Sequence, residues 1–368
     1  MNSNAITEPI FFAPNRVWRC YTGGVLLDRF VGVQPGRDGH EPEDWLASAV
    51  RALNGDFSRG PTEGVARTLT ADGRPGPLIS EWLERDAEAL LGKAHVARYG
   101  KNPGVLCKYL DSAVRLPIQC HPDVALAERL YRSSYGKAEC WYIIDTRKVR
   151  GEQPYLLLGF KPGVTKAAFA EAVEAQNIPA MENMLHKIRC KPGQMFFLPG
   201  RFPHAIGPGV FMVETQEPSD WVVQCERYCA DTRLSDENMW GPLTREQGMD
   251  IFDYAGMTEA DMLQRSLTAE RVVHSSEGGR VVELIGRAQT PAFAVQRVTV
   301  SKRLNVTLPR GFGIVVVTEG EGTMRWGGRG EREIRRGQYF LQPAGMPSVE
   351  YTATAAPLTL LLCLPPEA

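Results

Sequence analysis

Two stretches far apart in the chain follow one plan. GQMFFLPGRFPH, from Gly193 to His204, and GQYFLQPAGMPS, from Gly337 to Ser348, each open on glycine, reach a proline six positions on and close five residues later. The glycine allows a tight turn, the aromatic residues between fill an interior, and the proline sets the next turn. A strand-and-turn unit used twice predicts two related barrels. The surroundings agree. From Gly104 the chain runs through short apolar stretches rich in β-branched and aromatic residues (VLCKYLD, RLPIQC, CWYIID, YLLLGF, HKIRC, QMFFLP, GVFMVETQ, WVVQCERY), broken by Gly and Pro. Strand signals return over 282–365. Many short strands at regular spacing indicate an antiparallel barrel or sandwich rather than a parallel sheet.

Helical periodicity is added to this frame. Leu78–Leu91 carries apolar residues at helical spacing, Val124–Tyr135 is a short helix candidate, and Thr165 caps a candidate running to Ala180. Glu41–Asn54 (EPEDWLASAVRALN) also reads as a short helix, with Pro42 near its start. Residues 8–36 suggest irregular strands, 60–77 a loop, and 231–281 a polar, helix-compatible segment. The expected fold class is mainly β, with two barrels and added helical segments. The expected division is an N-terminal domain over 1–281 and a C-terminal one over 282–368.

Charge narrows the partners. Lys and Arg total 42 against 43 Asp and Glu, so there is no reason to expect nucleic acid or an anionic membrane as partner. The longest apolar run, Leu358–Leu364, is far short of the roughly 18 residues that span a bilayer. The N-terminus MNSNAITEPIFFAPN lacks the basic start and long apolar run of a secretory leader, and the expected location is the cytoplasm. None of the eight Cys forms a CxxC pair, which predicts reduced, buried thiols. Cys225 and Cys229 are spaced CxxxC, with no His or Cys following at zinc-finger spacing.

One constellation carries chemistry. Gln119 and His121 are two apart in a strand, so their side chains share a face, and Cys120 between them points the other way. Glu139 opens the next strand and His204 follows the Pro199 turn. Two imidazoles, a carboxylate and an amide oxygen make a mixed nitrogen and oxygen set for one divalent metal with an open position. Zinc is expected; manganese, iron or cobalt suit the same donors. His40, His95, His186 and His274 have no such neighbours and are expected in surface or structural roles. In the second repeat Ser348 stands in the place of His204, and no His follows His274, so the C-terminal domain is predicted to hold no metal.

At this point the sequence resembles a known family. Gly193 to His204 matches the second cupin motif, with Arg201 where glycine is usual. IQCHPD, YGKAECWYIID and LPGRFPHAIGPG, with EDWLASA upstream, are similar to the class I mannose-6-phosphate isomerases over about Val17 to Asp220. The resemblance implies a double cupin, two jelly-roll β-barrels of which the second is degenerate, and it places the family's metal ligands on Gln119, His121, Glu139 and His204. It implies interconversion of an aldose phosphate and a ketose phosphate through an enediol. Lys137 then resembles the family's substrate-facing lysine, and Glu214 a carboxylate implicated in proton transfer. The chain departs from the family in Ser219-Asp-Trp-Val-Val-Gln224, where Gln224 occupies the place of an arginine regarded as catalytic. A neutral amide does not replace a fork of charged donors, so Arg201 and Arg227 are candidates to supply the missing cation beside a sugar or sugar phosphate. Three readings stay open on the sequence: an aldose–ketose isomerase, a related cupin enzyme acting on an unphosphorylated sugar or sugar acid, and a sugar-binding or regulatory protein without catalysis.

Overall fold

The side chains that alternate along three central strands point to two different cores. In Leu106–Asp111, Glu139–Thr146 and Val210–Gln216, one parity (Leu110, Trp141, Ile143, Met212) faces the interior of an N-terminal barrel. The other parity (Cys107, Tyr109, Cys140, Tyr142, Phe211, Val213) joins a cluster with Val282, Val295, Ile314, Val316 and Leu361 of the C-terminal half. A sheet covered on both faces reads as continuous apolar runs rather than clean alternation, and this is why VLCKYLD, CWYIID and GVFMVETQ looked so uniform. The computed structural model describes residues 6–328, 330–346 and 348–368. Pro347 of the second repeat lies outside the described residues.

The N-terminal barrel is a pair of facing antiparallel sheets. One has the strand order Met195–Leu198, Glu139–Thr146, Val210–Gln216, Leu106–Asp111, Glu43–Leu46, Arg16–Val17. The other runs Leu185–Arg189, Tyr155–Phe160, His204–Ile206, Gln119–Cys120, Val223–Gln224. The third large sheet forms the C-terminal barrel around Gly313–Trp326 and Ser348–Leu364, beginning at Arg271–Ser276 and taking in Ile10–Phe11 from the N-terminus. The molecule is mostly β with helices added. The glycines that open the two repeats, Gly193 and Gly337, both adopt left-handed φ, 86° and 87°, and strands Met195–Leu198 and Tyr339–Gln342 follow them.

Several helices fall where periodicity placed them: Ile79–Leu91, Val124–Tyr131, and Lys166–Glu174 with Thr165 capping the Ala168 N–H. Three local expectations are corrected. The 41–54 segment is not a helix: Glu43–Leu46 is a strand bonded to Leu106–Asp111 on one side and Arg16–Val17 on the other. All four of its residues are buried, and sheet pairing on both edges outweighs a weak helix propensity. Within 8–36, Val25–Val31 is a helix rather than a strand. Its cap comes from far away in sequence: the Asp111 carboxylate accepts from the backbone N–H groups of Gly24, Leu26 and Leu27, so no local capping residue announces it. The 60–77 stretch includes most of a hairpin, Arg67–Leu69 with Pro75–Leu78.

Candidate metal centre and cavity

The two sheets of the N-terminal barrel deliver the metal-ligand candidates from opposite walls. Gln119 and His204 are register partners on one sheet, and His121 follows that sheet's Gln119–Cys120 strand. Glu139 opens a strand of the other sheet. The Nε2 atoms of His121 and His204 lie 3.3 and 3.2 Å from the two carboxylate oxygens of Glu139, and the Gln119 amide lies 3.3 Å from His204 Nε2. Both imidazoles are oriented from behind: Nδ1 of His121 faces the Trp221 carbonyl at 2.8 Å, and Nδ1 of His204 faces the Phe202 carbonyl at 2.7 Å. A carbonyl only accepts, so each Nδ1 carries the proton and each Nε2 turns a lone pair toward the others, the tautomer a metal requires. His121, Glu139 and His204 offer ligand atoms all within 4.8 Å of one another. Among the described residues this is the one cluster of three or more His, Cys, Asp or Glu side chains able to hold an ion. The donor set fits a divalent metal.

Electrostatics keeps the donors ready. Burial, reinforced by the Lys137 ammonium, holds His121 neutral down to about pH 3. Burial alone would raise the Glu139 carboxyl, but the Lys137 ammonium outweighs it and holds the group well below the usual range. Lys137 Nζ donates to Glu139 Oε2 and lies 2.7 Å from His121 Nε2. Glu214 is 3.8 Å from Lys137 and 3.7 Å from Lys108. Its carboxyl is pushed up to about 8, chiefly by burial, with Lys108 opposing and Glu139 adding to the rise.

Of these groups, Gln119, His121, Lys137, Glu139, Lys108 and Glu214 line the floor of a solvent-connected cavity. Gln224, next to Gln119 in register, also lines it. Arg201 and Arg227, the candidate substitutes for a missing cation, do not. Arg201 has φ +70°, the conformation that makes glycine usual at this position. Its guanidinium turns away to the carbonyls of Ile251 and Phe252. Arg227 is partly exposed and pairs with Asp236 at 2.7 Å in a separate groove.

The cavity also gathers groups that sequence reading passed over: Arg19, Tyr21, Glu43, Lys108 and Asp220. Arg19 forks onto Asp220, and its Nε lies 3.1 Å from Glu43. Tyr21 and Trp45 donate to Glu43. Burial alone would raise Glu43, but Arg19, Lys108 and these two bonds bring it down to about 2. Lys108 was the findable one. It shares the inner face of its strand with Leu106 and Leu110, and a lysine in a strand buried on both faces calls for a reason. Its side chain is 3% exposed, and its nearest carboxylates, on Glu214 and Glu43, lie 3.7 and 3.9 Å away.

No family model matches the chain. It is 26% identical over 341 residues, 92% of its length and 94% of the relative's, to a probable mannose-6-phosphate isomerase (GmuF) of Bacillus subtilis. It is 25% identical over 342 residues to the mannose-6-phosphate isomerase ManA of the same organism, again covering 92% of this chain and 94% of the relative. Among solved structures, the mannose 6-phosphate isomerase from Bacillus subtilis superposes with a TM-score of 0.74 at 22% identity, covering 97% of this chain and 99% of that one. A phosphomannose isomerase from Salmonella typhimurium gives 0.68 at 16% identity, covering 96% and 99%. The shared fold spans both barrels, and the sequence similarity runs nearly end to end. On these grounds the chain is similar in sequence to mannose-6-phosphate isomerases over most of its length and shares their double-cupin fold.

Proposed function

We propose that the protein is a metal-dependent aldose–ketose isomerase acting on a monosaccharide or its phosphate. The observation that carries this reading is a metal-competent His–Glu–His cluster of which His121 and Glu139, with the Gln119 amide, share one cavity floor with Lys137, Lys108 and Glu214. Gln119, His121, Glu139 and His204 would hold a divalent cation, zinc by preference among the metals that suit mixed nitrogen and oxygen donors, which would supply Lewis-acid polarisation of the sugar oxygens. The chain's own residues supply the rest. Moving a hydrogen between C2 and C1 requires a base to take the proton from one carbon and return it to the other, and a proton to shift between O2 and O1. Glu214 is the base we assign to the carbon-bound proton. Its carboxylate is flanked by two ammonium groups and faces the same floor. Lys137 and Lys108 offer N–H donors to the oxygens on which negative charge develops. The buried floor keeps bulk water from the enediol. The eight cysteines, all buried and unpaired, support a reducing compartment and so the cytoplasm.

The test is a panel of aldoses, ketoses and their phosphates, incubated with metal-replete protein in deuterated water and followed by NMR. An isomerase working through an enediol interconverts one pair and replaces C–H by C–D at C1 or C2. Glu214→Gln should lower turnover by about a hundredfold or more with metal retained. A metal-replete protein that exchanges no sugar proton in the panel removes the isomerase reading in favour of a binding protein.

A further inference from the structure

Two pairs of cysteines stand thiol to thiol. Cys107 is hydrogen-bonded to Cys363 where the two barrels meet, and Cys20 is hydrogen-bonded to Cys229. The first pair has no route to solvent: both residues are 0% exposed, and the Thr215 hydroxyl sits against both sulfurs. The second pair differs. Cys20 lines the solvent-connected cavity and is 8% exposed, and Cys229 is 5% exposed. Two bridges hold their segments together independently of the thiols. His40 is one, with Nδ1 2.7 Å from the Arg19 carbonyl and Nε2 2.8 Å from the Asp231 carboxylate. The stretch from Ala113 to Arg115 is the other. Its Ala113 N–H donates to the Thr22 carbonyl at 2.7 Å, and its Arg115 carbonyl lies 3.8 Å from the Cys229 sulfur.

The two thiols of this pair are not equivalent. The bond from Cys229, helped by the Arg19 guanidinium, brings the Cys20 thiol down against its burial. The same bond, together with burial, pushes the Cys229 thiol up. The thiolate is the form that reacts with oxidants, so Cys20 reacts first. Its sulfur attacks the O–O bond of a hydroperoxide, forming the sulfenic acid of Cys20 and releasing hydroxide or alkoxide, which takes up the proton that Cys20 gave to solvent. With that thiolate consumed, the main cause of the rise at Cys229 is gone. The Cys229 sulfur then attacks the sulfenic sulfur, the S–S bond forms, and the sulfenic oxygen leaves as water with the Cys229 proton. Two thiols are oxidised by two electrons, and the hydroperoxide is reduced to water or alcohol. As a neutral thiol Cys20 donates to Gln224 Oε1 across 3.7 Å, and both residues line the cavity. A disulfide has no hydrogen to donate, so oxidation changes the cavity wall.

We infer that Cys20 and Cys229 form a site of reversible oxidation by hydroperoxides, at which Cys20 is attacked first and Cys229 closes a disulfide at the cavity wall. The buried Cys107–Cys363 pair, equally close but without access, is the internal control. The test uses the folded, reduced chain, freed of reductant and exposed to hydrogen peroxide, then unfolded in an alkylating agent and mapped by mass spectrometry. The expected product is a pair of peptides joined through Cys20 and Cys229 and released by dithiothreitol, with Cys107 and Cys363 still alkylated. In Cys229→Ser the sulfenic acid of Cys20 should persist and be captured by dimedone; in Cys20→Ser, Cys229 should remain unlabelled. The wild-type map stands without either variant, and no readout depends on turnover of a sugar. Free alkylation of both Cys20 and Cys229 after peroxide overturns the inference. So does irreversible oxidation of Cys20 without the disulfide, an equal yield of a Cys107–Cys363 disulfide, or dimedone capture at Cys229 in place of Cys20.

Discussion

Asp44 shows how much one buried carboxyl can make stability depend on pH. It lies opposite Tyr109 in register, 4% exposed, and accepts one bond, from the Asn15 N–H. Burial pushes it up from 3.8 to about 6, against the pull of that bond and of Arg16. A carboxyl that is harder to ionise in the fold than in the unfolded chain keeps its proton longer when folded. The stability that Asp44 contributes is then fully present below about pH 4 and is lost as pH rises through 6. The span corresponds to roughly 3 kcal/mol. Asp44→Asn removes this titration. The unfolding free energy of the wild type minus that of the variant should therefore fall by about 2–3 kcal/mol between pH 4 and pH 7. Denaturant titrations at the two values measure it, and a difference that stays flat contradicts the assignment. Comparing two proteins with the same metal ligands cancels the pH dependence of metal binding.

At the scale of elements, the C-terminal barrel depends on bending two long strands, Gly313–Trp326 and Ser348–Leu364. Their pairing register shifts near Val317, Glu319 and Glu321, and such irregularities bend a strand. Gly320 sits within that bend at φ +75°, where an added Cβ would lie 2.2 Å from the Pro357 carbonyl oxygen. Gly320→Ala should cost at least about 2 kcal/mol, from strain and from the displaced backbone. Equilibrium unfolding measures the loss, and a variant as stable as the wild type would show that the bend does not need glycine. The repeat that encodes this barrel was legible because its Gly-x5-Pro spacing fixes a turn, a strand and a second turn together. The Val25–Val31 helix was not legible, because its N–H groups are capped by Asp111. Strand Glu43–Leu46 was hidden because the residues that pair with it lie on both sides in space and not in sequence. The ligand candidates were readable because strand alternation puts Gln119 and His121 on one face. The Arg19–Asp220 and Glu43–Lys108 pairs join residues with no shared local pattern, and only the folded barrel brings them together.

For the whole molecule, the metal-ligand candidates tie one wall of the N-terminal barrel to the other, since Glu139 comes from the sheet facing His121 and His204. The C-terminal barrel packs behind that arrangement, through the cluster containing Cys140, Tyr142 and Val213. An ion bound only by the folded protein adds stability in proportion to the logarithm of its concentration over the dissociation constant, so the cavity floor and the fold are coupled. One metal centre assembled from these side chains is what the proposed chemistry requires. Elemental analysis of protein purified without added metal is the direct measurement. The wild type should hold close to one divalent ion per chain, and His121→Ala and His204→Ala, each checked for native circular dichroism, should lose most of it. Full metal retention by both folded variants would contradict the account.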